Sequence, residues 1–243
     1  HLGLQDKMGE PTQINDHVLQ IENEYYSLVR PKQVPLAGET PSQALANRGV
    51  GYVELRAVDV HPYSDIGIDE DTAGFLEVLA LYCLMQDSPE LYDQELEDIE
   101  KNQAEVVNRG RAPNAVILEH KKQVPILKWM GQHLDHMQSL ARVLNQTYAS
   151  RIYTQALETM KQRIHKVDET LSAKVIQDTL SHKGTWSFGS EMANQHAQSY
   201  EAHVLKPDTI EYFEGLAQSS LQKQQQLEQE CTQSFDEYLT AFR

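Results

Sequence analysis

The hydrophobic pattern of the chain changes near residue 68, and this change limits the folds that it can adopt. Before it, short segments alternate apolar and polar residues, which is typical of strands with one covered face. After it, apolar residues recur at intervals of three and four, which is typical of amphipathic helices. We therefore predict an α+β protein, with a strand-rich segment at 1–68 and a mostly α-helical C-terminal region at 69–243.

Two strands are predicted in the first segment. Val18–Val29 alternates over part of its length, and a second strand is predicted at Gly51–Asp59. In the second strand Glu54 and Arg56 face one way, and Leu55 faces the other. We expect the apolar face of each strand to lie on a core and the other face to meet something polar.

The helices begin after residue 68. Asp69 or Asp71 can be the N-cap of a helix whose apolar side would bury Cys83. Ser88 followed by Pro89 predicts a second helix, which ends at Gly110. Further helices are expected over 125–147, 151–171, 172–182, 190–204 and 208–242, with a break at 183–185.

Charge and composition exclude several classes of partner. The chain has 21 Lys and Arg against 36 Asp and Glu, a net charge of −15, which repels nucleic acid and anionic membranes. No apolar run approaches the roughly 18 residues that a spanning helix needs. Cys83 and Cys231 form neither a disulfide framework nor a zinc pattern, and His1–Met8 lacks a secretory signal. We expect a cytoplasmic protein without nucleic-acid or membrane partners.

Alternating polar residues on the first predicted strand suggest a metal site. Gln20, Glu22, Glu24 and Tyr26 would share one face. Converging carboxylates can hold Mg²⁺, a hard cation that prefers oxygen ligands. An ordinary solvated strand face explains the same pattern.

The second predicted strand carries a carboxylate and a guanidinium two residues apart. Glu54 can hold a metal that bridges ATP phosphates, and Arg56 can neutralise a phosphoryl group in transfer. A salt bridge is the plain structural alternative. Arg30 and Lys32 can contact a nucleotide, or they can be surface charges.

Three segments together indicate a family. QIENEYYS at 20–27, VRPK at 29–32 and YVELR at 52–56 closely resemble the glutamate–cysteine ligases of the gamma-proteobacterial type. The resemblance is strong from about Gln13 to Glu70 and weaker through the helical part. It implies a catalytic sheet like that of glutamine synthetase, with Mg²⁺ held by carboxylates on its concave face.

The resemblance also implies a reaction and residue roles. ATP phosphorylates the side-chain carboxylate of glutamate, and the amine of cysteine then attacks, giving gamma-glutamylcysteine, the first product of glutathione biosynthesis. Glu54 matches a metal-binding glutamate of the family, Arg56 the arginine that contacts the transferred phosphoryl group, and Tyr26 a tyrosine of the cysteine pocket. By extension, Glu22 and Glu24 are assigned to the metal, and Arg30 and Lys32 to the nucleotide.

One departure from the family pattern limits this expectation. Family members are much longer on the N-terminal side, where most metal and substrate ligands lie. We therefore expect the C-terminal part of a ligase, with the rest of the enzyme as its partner and little activity alone. A noncatalytic helical interaction module and another carboxylate–amine ligase of the same fold remain alternatives.

Overall fold

The computed structural model describes residues 13–14, 17–36 and 38–242, apart from the side chains of 235, 239, 241 and 242. The prediction that His1–Met8 carries no secretory signal concerns residues outside these ranges. The chain divides into two compact units, one formed by 1–59 with 203–243 and the other by 60–202. The division predicted between residues 68 and 69 differs from this boundary and lies just before the helix that begins at Glu70. The different functions predicted for the two parts stay a prediction.

The first unit contains two strands and three helices among the described residues. They are β1 (Val29–Lys32), α1 (Pro41–Arg48), β2 (Tyr52–Leu55), α8 (Pro207–Glu230) and α9 (Phe235–Phe242), with a 3-10 turn at Glu22–Glu24. The second unit contains α2 (Glu70–Leu84), α3 (Asp93–Arg109), β3 (Val116–Glu119), β4 (Lys122–Pro125), α4 (Ile126–Thr147), α5 (Ile152–His165), a 3-10 turn at Val167–Glu169, α6 (Leu171–Ser181) and α7 (Thr185–Ala202). The expected α+β class, mostly helical with small sheets, is confirmed.

The two strands of the first unit form an antiparallel pair. Arg30 lies opposite Glu54, and Val29 lies opposite Leu55. Alternation therefore separates a polar face from an apolar face, as predicted. The expectation that the apolar face lies on a core is wrong within this chain, because Val29, Val53 and Leu55 are exposed.

The predicted strand at Val18–Val29 is also wrong. Bends at 17–21 lead into the 3-10 turn, and the strand begins only at Val29. The side chain of Glu24 accepts a hydrogen bond from the Gln20 backbone N–H at 3.0 Å, and Tyr25 N–H donates to the Glu22 carbonyl at 3.2 Å. These local hydrogen bonds satisfy the backbone N–H groups of Gln20 and Tyr25, which in a strand would bond to a neighbouring strand.

The core of the second unit lies where α2, α4 and α5 pack together. Val78, Leu134, Ala141 and Leu157 are buried there. Asp69 caps α2 as predicted, its side chain accepting a hydrogen bond from Thr72 N–H at 2.7 Å. The buried side of α2 is rotated from the predicted one, however. It is centred on Gly74 and Val78, and Cys83, predicted to be buried, is exposed.

Close packing of α2 against α5 depends on a glycine. A Cβ atom added at Gly74 would lie 2.8 Å from Ile152 Cγ2 and 3.4 Å from Ala156 Cβ. Alanine normally stabilises a helix interior by about 1 kcal/mol over glycine, but overpacking a core costs about 1–3 kcal/mol. We expect Gly74→Ala to lower the free energy of unfolding. Gly189→Ala in α7, where the added Cβ meets nothing, should raise it or leave it unchanged in the same denaturant titration.

A second antiparallel hairpin lies within the region predicted to be mostly helical. β3 and β4 pair from Val116↔Pro125 to Glu119↔Lys122. Their turn places His120 at φ 48° and Lys121 at φ 65°, a conformation usually given to Asn and Gly. The sequence signal was the run of β-branched residues after Pro113, which favours a strand.

Several helix ends differ from prediction. The helix expected from Ser88 begins at Asp93, where Glu95 accepts a hydrogen bond from Tyr92 N–H at 3.1 Å. The predicted end at Gly110 is confirmed. The break predicted at 183–185 lies at 182–184, and the helix predicted from residue 190 begins at Thr185. The helix expected over 208–242 is interrupted at 231–234. No helix among the described residues is long and apolar enough to span a membrane.

Candidate active-site surface

Four charged side chains lie on the polar face of the β1–β2 pair. Arg30 and Lys32 come from β1, Glu54 comes from β2, and Arg56 follows directly after it. Arg56 N–H donates to the Leu28 carbonyl at 2.8 Å, which extends the ladder to this residue. We call these four residues the hairpin polar face. Three cations on one small surface offset the acidic charge of the whole chain locally.

Glu54 lies at the centre of this surface. Its Oε1 is 3.0 Å from Arg56 Nε, and its Oε2 is 3.6 Å from Lys32 Nζ. The hydrogen bond from Arg56, with the charges of Arg56 and Lys32, lowers the pKa of Glu54 despite partial desolvation. Its Oε2 is shielded from solvent and accepts no hydrogen bond from the described residues, so its one close partner there is the Lys32 ammonium. An ionised oxygen of this kind can bind a hard cation if that cation displaces Lys32.

Arg56 is held from two sides. Its guanidinium carbon lies 5.7 Å from the centroid of the Tyr26 ring, within cation–π range, and its Nε contacts Glu54. Among the described residues, its two terminal nitrogens take part in no hydrogen bond. The arrangement therefore fixes the direction of the guanidinium while leaving two donors for a ligand.

The predicted metal ligands Glu22 and Glu24 have other partners. The Glu22 carboxylate accepts hydrogen bonds from the backbone N–H of Ser42, at 2.9 Å, and from its hydroxyl. These bonds lower the pKa of Glu22. Glu24 accepts from Gln20, as described above. Within the part of the chain that the structure describes, no three His, Cys, Asp or Glu side chains form a metal cluster. Their role as ligands stays a prediction.

A cleft of about 920 Å³ opens beside the hairpin polar face. Its walls include Arg30, Lys32, Tyr25, Tyr52 and Leu45. Glu22 and Glu39 also line the cleft, so its charge is mixed. Its aromatic and aliphatic side chains suit a planar ligand whose negative groups lie at Arg30 and Lys32. The predicted nucleotide residues therefore share one cavity, whereas Tyr26 and Arg56 lie outside its lining.

Hydrogen bonds to the Glu39 carboxylate hold the segment between β1 and β2 together. Arg48 contacts Glu39 through both terminal nitrogens, at 2.9 and 2.6 Å. Glu39 also accepts from Asn47 at 3.0 Å and from Leu36 N–H at 3.0 Å, and Arg48 donates to the Val34 carbonyl at 2.8 Å. These bonds connect α1 to the loop beside the cleft. Neither Glu39 nor Arg48 was among the site residues predicted from the sequence.

Acid is expected to loosen this segment. The hydrogen bonds from Arg48 and Leu36 lower the pKa of Glu39 to about 2 from an ordinary 4.5. A carboxyl with a lowered pKa stabilises the folded state above its ordinary pKa, and that contribution is lost as the pH falls from about 4.5 towards 2. We expect the protection of the Leu36 amide hydrogen, measured as its exchange rate relative to the intrinsic rate at each pH, to fall across this range. Glu39→Gln should remove the pH dependence, whereas Glu100→Gln on α3 should not.

Comparison with known proteins defines the class. A family model described as glutamate–cysteine ligase matches residues 1–106. The chain belongs to the glutamate–cysteine ligase family, in agreement with the resemblance carried by segments 20–27, 29–32 and 52–56.

Its relatives are glutamate–cysteine ligases of gamma-proteobacterial type. The one from Azotobacter vinelandii is 38% identical over 237 residues, which are 97% of this chain and 44% of the relative. The one from Saccharophagus degradans is 37% identical over 243 residues, 99% of this chain and 46% of the relative. The crystal structure of a glutamate–cysteine ligase from Francisella tularensis in complex with AMP is 31% identical with a TM-score of 0.88, covering 98% of this chain and 47% of that one. The chain thus spans a little under half the length of the curated relatives it matches.

Proposed function

We propose that this chain is the C-terminal part of an ATP-dependent glutamate–cysteine ligase and supplies one wall of its active site. The observation that carries the proposal is the hairpin polar face, where Glu54 and Arg56 are in contact beside a cleft that Arg30 and Lys32 line. The product would be gamma-glutamylcysteine, made in the cytoplasm as the first step of glutathione biosynthesis. Family membership supports this choice of reaction.

Arg56 would act on the transferred phosphoryl group. In the proposed reaction the γ-phosphoryl group of ATP passes to the side-chain carboxylate of glutamate, releasing ADP. The amine of cysteine then attacks the acyl phosphate carbon, and phosphate leaves as the amide bond forms. The terminal nitrogens of Arg56 can donate to the oxygens of the moving phosphoryl group, on which negative charge must be stabilised. The Tyr26 ring beside Arg56 would line the cysteine site.

Glu54 is the residue of this chain that best fits a magnesium ion. Its pKa is lowered, so it is ionised at neutral pH, and its Oε2 accepts no hydrogen bond from the described residues. A metal ion at this oxygen would have to displace only the Lys32 ammonium, 3.6 Å away. A bound Mg²⁺ would neutralise charge on the ATP phosphates. Glu22 and Glu24 would first have to release Ser42 and Gln20. Further ligands are therefore proposed to come from polypeptide outside this chain.

Arg30 and Lys32 are proposed to bind the nucleotide. Both line the 920 Å³ cleft, whose tyrosines and aliphatic side chains can cover a base. The Francisella relative was crystallised with AMP, an adenine nucleotide. This supports a nucleotide as the occupant without fixing its orientation here.

The isolated chain is expected to show little or no ligase activity. It contributes one well-suited metal carboxylate, and the described residues hold no metal cluster. An assay with ATP, Mg²⁺, glutamate and cysteine should give product only when a second polypeptide, which supplies the rest of the active site, is added. Turnover by the chain alone, near that of the Azotobacter relative, would contradict the proposed division of the site.

A further inference from the structure

The Glu22 carboxylate joins two segments of the first unit that lie far apart in sequence. Its Oε2 accepts a hydrogen bond from the backbone N–H of Ser42 at 2.9 Å, and its Oε1 accepts one from the Ser42 hydroxyl. Ser42 lies in the first turn of α1, where backbone N–H groups have no partner within the helix. A carboxylate is stabilised at such a helix start. The 3-10 turn at Glu22–Glu24 is thereby attached to α1.

Helix α1 is a fixed anchor for this turn, because other hydrogen bonds hold both of its ends. At its start, Thr40 N–H donates to the Gln43 side chain at 3.0 Å, and Gln43 N–H donates to the Thr40 hydroxyl at 3.3 Å. At its end, Arg48 donates to the Val34 carbonyl at 2.8 Å, two residues after β1. The bonds from Ser42 therefore tie Glu22 to an element that is itself attached to the strand pair.

The position of Tyr26 is set from both directions along the chain. On its N-terminal side, Tyr25 N–H donates to the Glu22 carbonyl at 3.2 Å and closes the 3-10 turn. On its C-terminal side, the Leu28 carbonyl accepts from Arg56 N–H at 2.8 Å. The Tyr26 ring lies between these two fixed points, with its centroid 5.7 Å from the Arg56 guanidinium carbon. Releasing the turn would free one of the two points that place this ring.

We propose that Glu22 is a positioning residue, which places Tyr26 against Arg56 through its bonds to Ser42. This inference rests on the proposed function, because the place of Tyr26 matters for ligation only if its ring lines the cysteine site. It differs from the metal role predicted for Glu22. Both carboxylate oxygens of Glu22 already accept a hydrogen bond, so a Mg²⁺ ion there would compete with Ser42.

Substitutions at Glu22 and Ser42 separate positioning from metal binding. Glu22→Gln keeps an oxygen that can accept from Ser42 N–H, but it removes the carboxylate that Mg²⁺ prefers. Glu22→Ala removes both bonds. Ser42→Ala removes one bond and leaves the cap of α1 in place, so it gives a milder variant. In a Glu22→Ala background it should add nothing, because the two residues act through one contact.

The first readout is the NMR signal of the Arg56 Nε–H proton in the full chain, because an aromatic ring shifts the signals of protons near it. Tyr26→Leu gives the position of this signal without the ring. We expect Glu22→Ala to move the signal towards that position. Glu22→Gln should leave it in place, as should the control Glu100→Ala on α3.

The second readout is kinetic and uses the chain combined with a polypeptide that supplies the rest of the active site. Glu22→Ala should raise KM for cysteine about fivefold, the scale of one lost hydrogen bond. It should change kcat less, since Arg56 keeps its contact with Glu54. Glu22→Gln should restore most of the affinity for cysteine without raising the Mg²⁺ requirement.

An Arg56 signal that stays in place in Glu22→Ala, or an unchanged KM for cysteine in an active complex, would overturn the proposal. So would equal damage from Glu22→Gln and Glu22→Ala with a raised Mg²⁺ requirement, because Glu22 would then be a metal ligand. If the signal moves but the unaltered complex makes no gamma-glutamylcysteine, the positioning of Tyr26 stands and the proposed function fails.

Discussion

Replacing Arg56 with alanine is expected to abolish ligation by this chain combined with the rest of the ligase. Arg56 contacts both Tyr26 and Glu54, and its terminal nitrogens make no hydrogen bond to any residue that the structure describes. Loss of a donor aimed at developing charge typically lowers kcat by about 100-fold or more. The measurement is kcat for phosphate release, at saturating ATP, glutamate and cysteine.

Two further variants separate chemistry from structure. Arg56→Lys keeps the charge but loses the planar fork that matches phosphate oxygens, so it should restore little activity. Arg109→Ala on α3 removes an arginine that pairs with Glu105 on an exposed surface, and it should leave kcat unchanged. If Arg56→Ala retained full activity, the noncatalytic interaction module would become the better account of the chain.

Truncating Leu157 is expected to have the largest effect on stability. Its side chain is fully buried in the core formed by α2, α4 and α5. Leucine-to-alanine changes at such sites cost about 2–5 kcal/mol, because transfer free energy is lost and a cavity remains. Urea unfolding followed by circular dichroism should show a lower midpoint for Leu157→Ala.

The matched control is Leu180→Ala on α6. The Leu180 side chain is 74% exposed, so its truncation should change the free energy of unfolding by about 0.5 kcal/mol or less. Equal effects of the two variants would contradict the packing described for the second unit.

Local signals predicted the helical part well where a capping residue was present. Asp69 has the short side chain that caps a helix, and α2 begins immediately after it. Ser88 carried a similar signal, but the helix starts at Asp93, since Glu95 caps it from inside the first turn. The deciding hydrogen bond is itself local, between residues three apart, but Tyr92 is not a usual N-cap residue, so the sequence pattern favoured Ser88.

The hairpin polar face was partly predictable. Alternation in 52–56 places Glu54 and Arg56 on one side, and the structure has them in contact at 3.0 Å. The alternation predicted around Glu22 is wrong, because Glu22 lies in a 3-10 turn and its carboxylate accepts a hydrogen bond from Ser42, 20 residues later in the chain. The contact between Tyr26 and Arg56 likewise joins residues distant in sequence, which periodicity cannot pair.

The central claim is that the side chains of Glu54 and Arg56 line a site for magnesium and a nucleotide, and that polypeptide outside this chain completes the site. Calorimetric titration of the combined polypeptides with Mg²⁺ and a nonhydrolysable ATP analogue tests it without requiring turnover. We predict that Glu54→Gln and Arg56→Ala each weaken binding at least tenfold, while Glu95→Gln on α3 has no effect. Unchanged affinity in both hairpin variants would contradict the claim.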